Sequence, residues 1–514
     1  MTSYKLLIDT NVFIGLEDSK LVDSGFAEFN RRCAQHGVRL FVHEAALDDI
    51  KRDKDANRRQ ISLSKLQKFE NISGIKLPPR AALEVQFGSI HRPNDEVDIS
   101  LLVALDRGAV DFLITQDQGI HDRVRSSLLS KRVFRISDAL TWLRQTFEPA
   151  EVKLPFVVQR KAHEIELSDS IFDSLRDGYN EFDRWWQEKC VRQHRACWVV
   201  EIGHELAGIC VRKDETRLDA TVMRPGNKIL KLCTFKVKPQ YRGEKLGELL
   251  LKQALWFAQQ NQYDLLYVTT KPEQTYLIQI LEYFGFEHTT TLDLDERVYE
   301  KPLSTKRLTA DASADIFKLD RTNYPRFVAD RSVTAYYVPI RGGYHRKLFP
   351  EIAVQVALPL FPDQKLFQAG GMQERTPGNT IRKVYLCRAK AGDFKAGDLL
   401  FFYESRSKDF LASQSITSVG VLEAVNITRD YDELVRLTAK RSVFSETELK
   451  GLLAESDTPL KVLDFLLVGH YDPPIPLQEL VKMRVLSKPP QSIARIAHDK
   501  AVALLARLAL GFEV

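Results

Sequence analysis

Two polar breaks containing proline constrain what this chain can fold into. FEPAEVKLP at 147–155 stops a helical pattern that ends at Phe147, and EKPLSTKRLTADAS at 300–313 is polar and carries a proline. Proline removes a backbone donor and steers the residue before it away from the helix, so regular structure does not run through either segment. The breaks divide the 514 residues into modules of about 1–148, 150–302 and 303–514, each long enough to bury its own core. A softer break lies near 426–433. Hydrophobic residues make up 44% and charged residues 28%, a globular composition rather than a disordered one.

The net charge is only +5, but it is unevenly placed. Residues 301–514 hold 31 Lys+Arg against 24 Asp+Glu, while residues 1–300 hold 43 against 45. A phosphate-bearing partner would be drawn to the C-terminal part first; an ordinary solvated surface explains the same excess. The six cysteines (Cys33, Cys190, Cys197, Cys210, Cys233 and Cys387) form no CxxC pair and no zinc-spaced cluster, so they read as reduced thiols. The start, MTSYKLLIDTNVF, lacks the apolar run of a signal peptide. No stretch approaches the ~18 apolar residues of a membrane span. The expectation is a cytoplasmic protein with no membrane partner.

The first module alternates short strands (5–8, 39–42, 112–115) with helical stretches (20–34, 44–68, 99–105, 137–147). This order predicts an α/β/α domain with a parallel sheet. Ligand sites in such sheets lie beyond the carboxyl ends of the strands. Asp9 ends the first strand there, and Asp117 follows the strand FLIT. Asp49, in HEAALDDIK, and Asp98, in NDEVDISLLVAL, come from helical stretches. Hard cations such as Mg²⁺ or Mn²⁺ require oxygen ligands of this kind, and such a metal lowers the pKa of bound water and polarises a phosphodiester. Each acid also has a simpler reading. Asp9, Asp98 and Asp117 could cap helices, and Asp48 and Asp49 could be solvated.

In order and context, LLIDTNVFIGLED at 6–18, ALDDIK at 46–51, DEVDISLLVAL at 95–105 and DFLITQDQGI at 111–120 resemble the PIN domain. That resemblance implies a Mg²⁺- or Mn²⁺-dependent ribonuclease. Asp9, Asp49, Asp98 and Asp117 would be catalytic and metal-binding, with Asn11 and Thr115 holding the ligands. Asp48 competes with Asp49, and Asp95 or Glu96 competes with Asp98. PIN domains pair, so a homodimer is one arrangement it implies.

In the second module, WVVEIGHELAGICV at 198–211 alternates like a hairpin, and ILKLCTFKVK at 229–238 is a long strand. PQYRGEKLG at 239–247 then leads into an amphipathic helix. A strand, a loop with glycine and arginine, and a helix N-terminus make an anion site suited to pyrophosphate. Arg242 and Lys245 would add charge; a turn that binds nothing is the alternative. The run Val237, Pro239, Tyr241, Arg242, Gly243 and Gly247, with the later Gly285–Phe286, resembles GNAT acyltransferases over roughly 160–300. The resemblance implies an α+β GNAT fold that binds acetyl-CoA through Val237, Arg242, Gly243, Lys245 and Gly247. The sequence departs from the family twice. Lys245 stands where a small residue is preferred. Leu281 stands where a tyrosine often protonates the CoA thiolate, with Tyr276 and Tyr283 out of register. Glu201, Glu205 and Asp214 are candidates for the base.

From residue 333 on, short strands separated by GDF and GDL turns predict a small β-barrel followed by helices. KVYLCRAKAGDFKAGDLLFFYES…SVGVLEAV resembles PUA-like/ASCH barrels, implying RNA contact. Residues 321–347 mix arginines with Tyr324, Tyr336, Tyr337, Tyr344 and His345. Such sets can stack on unpaired bases, or their aromatics can be core. A final helix is expected over 492–510, with HYDPPIPLQEL as a proline-rich connection.

The leading expectation is an α/β multidomain endoribonuclease acting on RNA (a tRNA or mRNA), coupled to an acyl-CoA-binding GNAT module and an RNA-reading barrel. The alternatives are N-acetyl transfer to an RNA or protein amine, and a non-enzymatic RNA-binding scaffold.

Overall fold

After the exposed Lys5, β1 (Lys5–Ile8) is a run of three buried apolar residues, the pattern of a strand covered on both faces inside a parallel sheet. It pairs in parallel with β2 (Arg39–His43) and β4 (Phe112–Ile114). With β3 (Glu70–Ile72) and β5 (Val133–Phe134) they form a parallel sheet of order β3-β2-β1-β4-β5. The computed structural model describes residues 4–17, 24–46, 50, 59, 62–63, 66, 69–147, 157–202, 205–241, 245–311, 313–352, 380–390, 393–406, 413–439, 441 and 444–514. The break at 147–155 and most of the expected 44–68 helix lie outside them. The expected 99–105 helix is longer, Pro93–Asp106. Asp95 caps it, accepting from the backbone N–H groups of His91 and Arg92 at 2.8 Å. Asp98 therefore sits inside the helix rather than opening it.

The second sheet has order β11-β12-β10-β9-β8-β7-β6. Its strands are β6 (Val157–Lys161), β7 (Ala196–Ile202), β8 (Glu205–Glu215), β9 (Ile229–Val237), β10 (Leu265–Thr270), β11 (Glu287–Thr291) and β12 (Arg297–Pro302). Only β9 and β10 run parallel, and the helix Leu246–Gln260 joins them.

The third sheet, β14-β17-β16-β15-β13-β18, comprises β13 (Ala335–Ile340), β14 (Arg382–Cys387), β15 (Leu399–Glu404), β16 (Ser415–Thr428), β17 (Leu460–Pro476) and β18 (Ala494–Ile496). Among the described residues, β14 and β18 are its edges, and β13 pairs β15 in parallel while the sheet's other pairings are antiparallel. Two further expectations change. β17 continues through DPPIP, whose prolines fall where it pairs β16 only locally past a register shift. The expected 492–510 helix is instead β18 plus a helix over His498–Leu505.

The modules share cores. Glu248, Lys252, Trp256 and Gln259 recur on one face of the Leu246–Gln260 helix. Each engages the third module or the segment leading to it. Glu248 accepts from Arg382 at 2.7 Å, and Lys252 pairs with Glu351 at 2.6 Å. The Trp256 indole donates to the Tyr324 hydroxyl at 2.6 Å, and Gln259 donates to the Ser304 and Gly511 carbonyls at 2.9 Å. Trp142 of the first module packs in one cluster with Leu434 and Val462 of the third. Arg436–Asp111 and Lys131–Asp464 pair across that seam.

Candidate functional site

The strand-end rule brings Asp9 and Asp117 to one end of the first sheet. The Asp9 carboxylate, 5% exposed, accepts from the Thr10 N–H, the Asn11 amide and the Thr115 hydroxyl, each at 2.6 Å. Asn11 and Thr115 thus hold the Asp9 carboxylate in place. Asp117 caps the helix Gln118–Val124, accepting from the Ile120 N–H at 3.2 Å. A side chain added at Gly119 would stand 2.9 Å from an Asp117 oxygen and 4.0 Å from one of Asp98, so those two carboxylates flank one glycine. Burial, then the charges of Asp117 and Asp9, push the Asp98 carboxyl up to about 7. Asp49 lies outside the described residues. Among the described residues no group of three or more His, Cys, Asp or Glu side chains is disposed to hold a metal. Asp98 thus lies in the electrostatic field of Asp117 and Asp9.

The second module offers a different kind of site. β9 and β10 pair over only four residues, Ile229–Leu232 with Leu265–Val268. β9 then continues to Val237, pairing with β8 alone. The two strands part beyond Leu232 and Val268, leaving a wedge beside the N-terminus of the Leu246–Gln260 helix. Val237, at the end of β9, is half-buried against the core. Arg242 and Gly243 lie outside the described residues. Lys245, the residue before the helix, has φ 59° and ψ 22°, a left-handed conformation that favours glycine. This explains why a small residue is preferred at its place. At Gly247 an added Cβ would find its nearest neighbour, Phe235, only at 3.8 Å, so packing within the protein does not demand a glycine there.

Burial, then the Arg441 charge, pushes the Lys245 amine down to about 7, with Glu248 opposing. Burial alone would raise the Glu248 carboxyl, but Arg382 and Arg441 outweigh it and hold it at about 2. Arg382 donates to Glu248 through its backbone N–H at 2.8 Å, Nε at 3.0 Å and Nη2 at 2.7 Å. Sequence reasoning passed over Glu248 and Arg382, because neither belongs to a local motif and they are 134 residues apart.

Residues 160–286 match the acetyltransferase (GNAT) family. No curated protein matches the chain. Solved structures similar to parts of it include an ASCH protein from Zymomonas mobilis, at 18% identity and TM-score 0.22, covering 34% of this chain and 95% of that one. Another is an IAA acetyltransferase from Bacillus cereus, at 16% identity and TM-score 0.23, covering 29% and 100%. A third is a GNAT acetyltransferase from Elizabethkingia anophelis with acetyl-CoA bound, at 13% identity and TM-score 0.21, covering 29% and 98%.

Within the GNAT domain the register sorts the candidate bases. Asp214 pairs with Leu230, at the far end of β9 from the loop, and accepts from the Tyr263 hydroxyl at 2.5 Å. Glu201 is tied to Arg160 at 2.8 Å. Glu205 lies at the loop end of β8, 3.8 Å from Lys238 and 3.1 Å from the Gln240 amide. Leu281 is fully buried core, so it supplies no proton.

In the third module, the aromatics expected to stack on bases are core. Tyr324, Tyr336, Tyr337 and His345 are at most 5% exposed, and Tyr344 packs on Phe444. Arg321 stacks on Tyr283 of the GNAT domain, 4.3 Å from its ring centre. The aromatics of 321–347 are therefore packed inside the protein, while Arg331 and Arg341 are exposed. All six cysteines are free thiols, and among the described residues no helix is long and apolar enough to cross a membrane.

Proposed function

We propose that the protein is an acyl-CoA-dependent N-acyltransferase whose reaction takes place in the wedge between β9 and β10. The observation that carries this reading is the family match over 160–286, which coincides with the parted strands and the helix N-terminus. Gly247 and the left-handed turn at Lys245 leave the helix N–H groups accessible to a pyrophosphate. Acetyl-CoA is the natural donor for such a site. The acceptor nitrogen attacks the thioester carbonyl, the new C–N bond forms as the C–S bond breaks, and the thiol leaves. The amine's proton passes to a base, and Glu205 is the acid at the loop end of the sheet. No tyrosine stands at position 281, so the leaving thiolate takes its proton from water. Incubation with labelled acetyl-CoA, bulk RNA and bulk protein tests this reading and sorts the acceptor, an RNA or a protein amine, by where label is retained. If folded protein transfers label to neither, the reading fails.

A second reading, phosphodiester hydrolysis at the first module, is favoured by one observation: burial and the charges of Asp117 and Asp9 raise the Asp98 carboxyl. RNA cleavage that is lost in Asp9→Asn and Asp117→Asn and abolished by EDTA would support it. Equal cleavage by parent and variants would remove it.

A further inference from the structure

We propose that the phosphates of acyl-CoA are held between the GNAT domain and the third module, with Arg382 and Arg441 of the third module as phosphate ligands. The proposal rests on the acyltransferase reading. It adds that the GNAT domain alone carries only part of its cofactor site.

Three observations converge on this junction. The first is that charges from all three modules meet at a place open to solvent. Tyr276, near the start of the helix Thr275–Tyr283, is 45% exposed. Asp138 of the first module, Glu248 of the GNAT domain and Arg382 of β14 all act on its hydroxyl.

The second observation is charge. Lys245, Arg382 and Arg441 act together on Glu248 at the start of the Leu246–Gln260 helix. Three cations thus act on one buried carboxylate, with Asp138 and Glu423 at the margins. Arginine is suited to phosphate by its planar fork and its permanent charge. The third is the geometry of the arginines. Arg382 grips Glu248 with Nε and Nη2, so Nη1 remains outside that pair for a second acceptor. Its guanidinium lies 4.6 Å from the ring centre of Tyr283, on which Arg321 also stacks at 4.3 Å. Tyr276 and Tyr283 are seven residues apart, hence on one face of their helix. Among the described residues Arg441 pairs with Glu423 at 3.9 Å, a longer separation than the 2.7 Å between Arg382 and Glu248.

The test uses the full chain and calorimetric titration with three probes: acetyl-CoA, 3′,5′-ADP, which carries phosphates without the pantetheine arm, and S-acetylpantetheine, which has the arm without the phosphates. Arg441→Ala leaves the Glu248–Arg382 pair intact and keeps the fold, checked by thermal melting; Arg495→Ala, an exposed arginine of β18, is the control. The expected result is a loss of about tenfold or more in affinity for acetyl-CoA and 3′,5′-ADP, restored in large part by Arg441→Lys, with S-acetylpantetheine unaffected. Unchanged binding of the first two probes, or an equal loss for all three, overturns the composite site while wild-type binding of acetyl-CoA leaves the acyltransferase reading standing. If folded wild-type protein binds no acetyl-CoA, that reading falls and takes this proposal with it.

Discussion

Arg382→Ala should destabilise the whole chain, not merely a surface. The Glu248 side chain is 1% exposed and that of Arg382 is 21% exposed. Removing one partner of a buried ion pair costs about 3–5 kcal/mol, because the remaining charge is left uncompensated. Two features lower this figure. The backbone N–H of residue 382 still donates to Glu248, and the Arg382 side chain is partly exposed to water. The expected loss is therefore about 2–3 kcal/mol. Urea unfolding followed by Trp256 fluorescence measures it, since the Trp256 indole donates to Tyr324 across the same interface. Glu248→Gln combined with Arg382→Ala removes the stranded charge, so the double variant should be more stable than the sum of single losses predicts, by about 1.5–3 kcal/mol. The pH dependence has a definite sign. Glu248 is held at about 2, below the usual 4.5. The pair's contribution is therefore full above pH 4.5 and is lost as pH falls toward 2, and the gap between wild type and Arg382→Ala should narrow in acid. An unchanged urea midpoint, or strictly additive variants, would refute the claim that the two modules meet at this pair.

Asp98→Asn should stabilise the protein at pH 8. The Asp98 carboxyl is raised from 3.8 to about 7, so its contribution is full below pH 3.8 and lost as pH rises through 7. That interval corresponds to about 4 kcal/mol, reduced to about 2 by partial solvent access; melting curves at pH 4 and pH 8 should separate parent and variant only at the higher pH. Lys245→Gly relieves a left-handed residue and should raise stability by about 1 kcal/mol in urea titration; a loss would mean that the side chain's contacts outweigh the backbone cost. A fragment of residues 150–302 exposes the Glu248–Gln259 face and should melt well below the full chain. A fragment that melts with the full chain would contradict the shared core.

How far the sequence could be read depended on the distance between interacting residues. Strand ends, glycine-bearing loops and hydrophobic runs are local, and they located β1, β4, β9 and the wedge loop. The helix expected over 99–105 started too late because Asp95, not Asp98, does the capping. The proline-rich 470–476 stretch concealed the end of β17, since prolines mimic a connection when a strand's pairing is interrupted by register shifts. The aromatic ladder at 321–347 looked like an RNA surface because the partners that bury it, such as Trp256 and Tyr283, belong to another module. The junction residues were invisible for the same reason: Lys245, Arg382 and Asp138 come together only in three dimensions.

The most direct measurement of the acyltransferase account is release of CoA thiol by the purified chain, followed with a thiol-reactive dye as acceptor amine is titrated in. The account predicts release that saturates with acetyl-CoA, rises with the amine and matches the amide formed one to one. Thiol release that ignores the amine, or none at all from folded protein at millimolar acetyl-CoA, would contradict it.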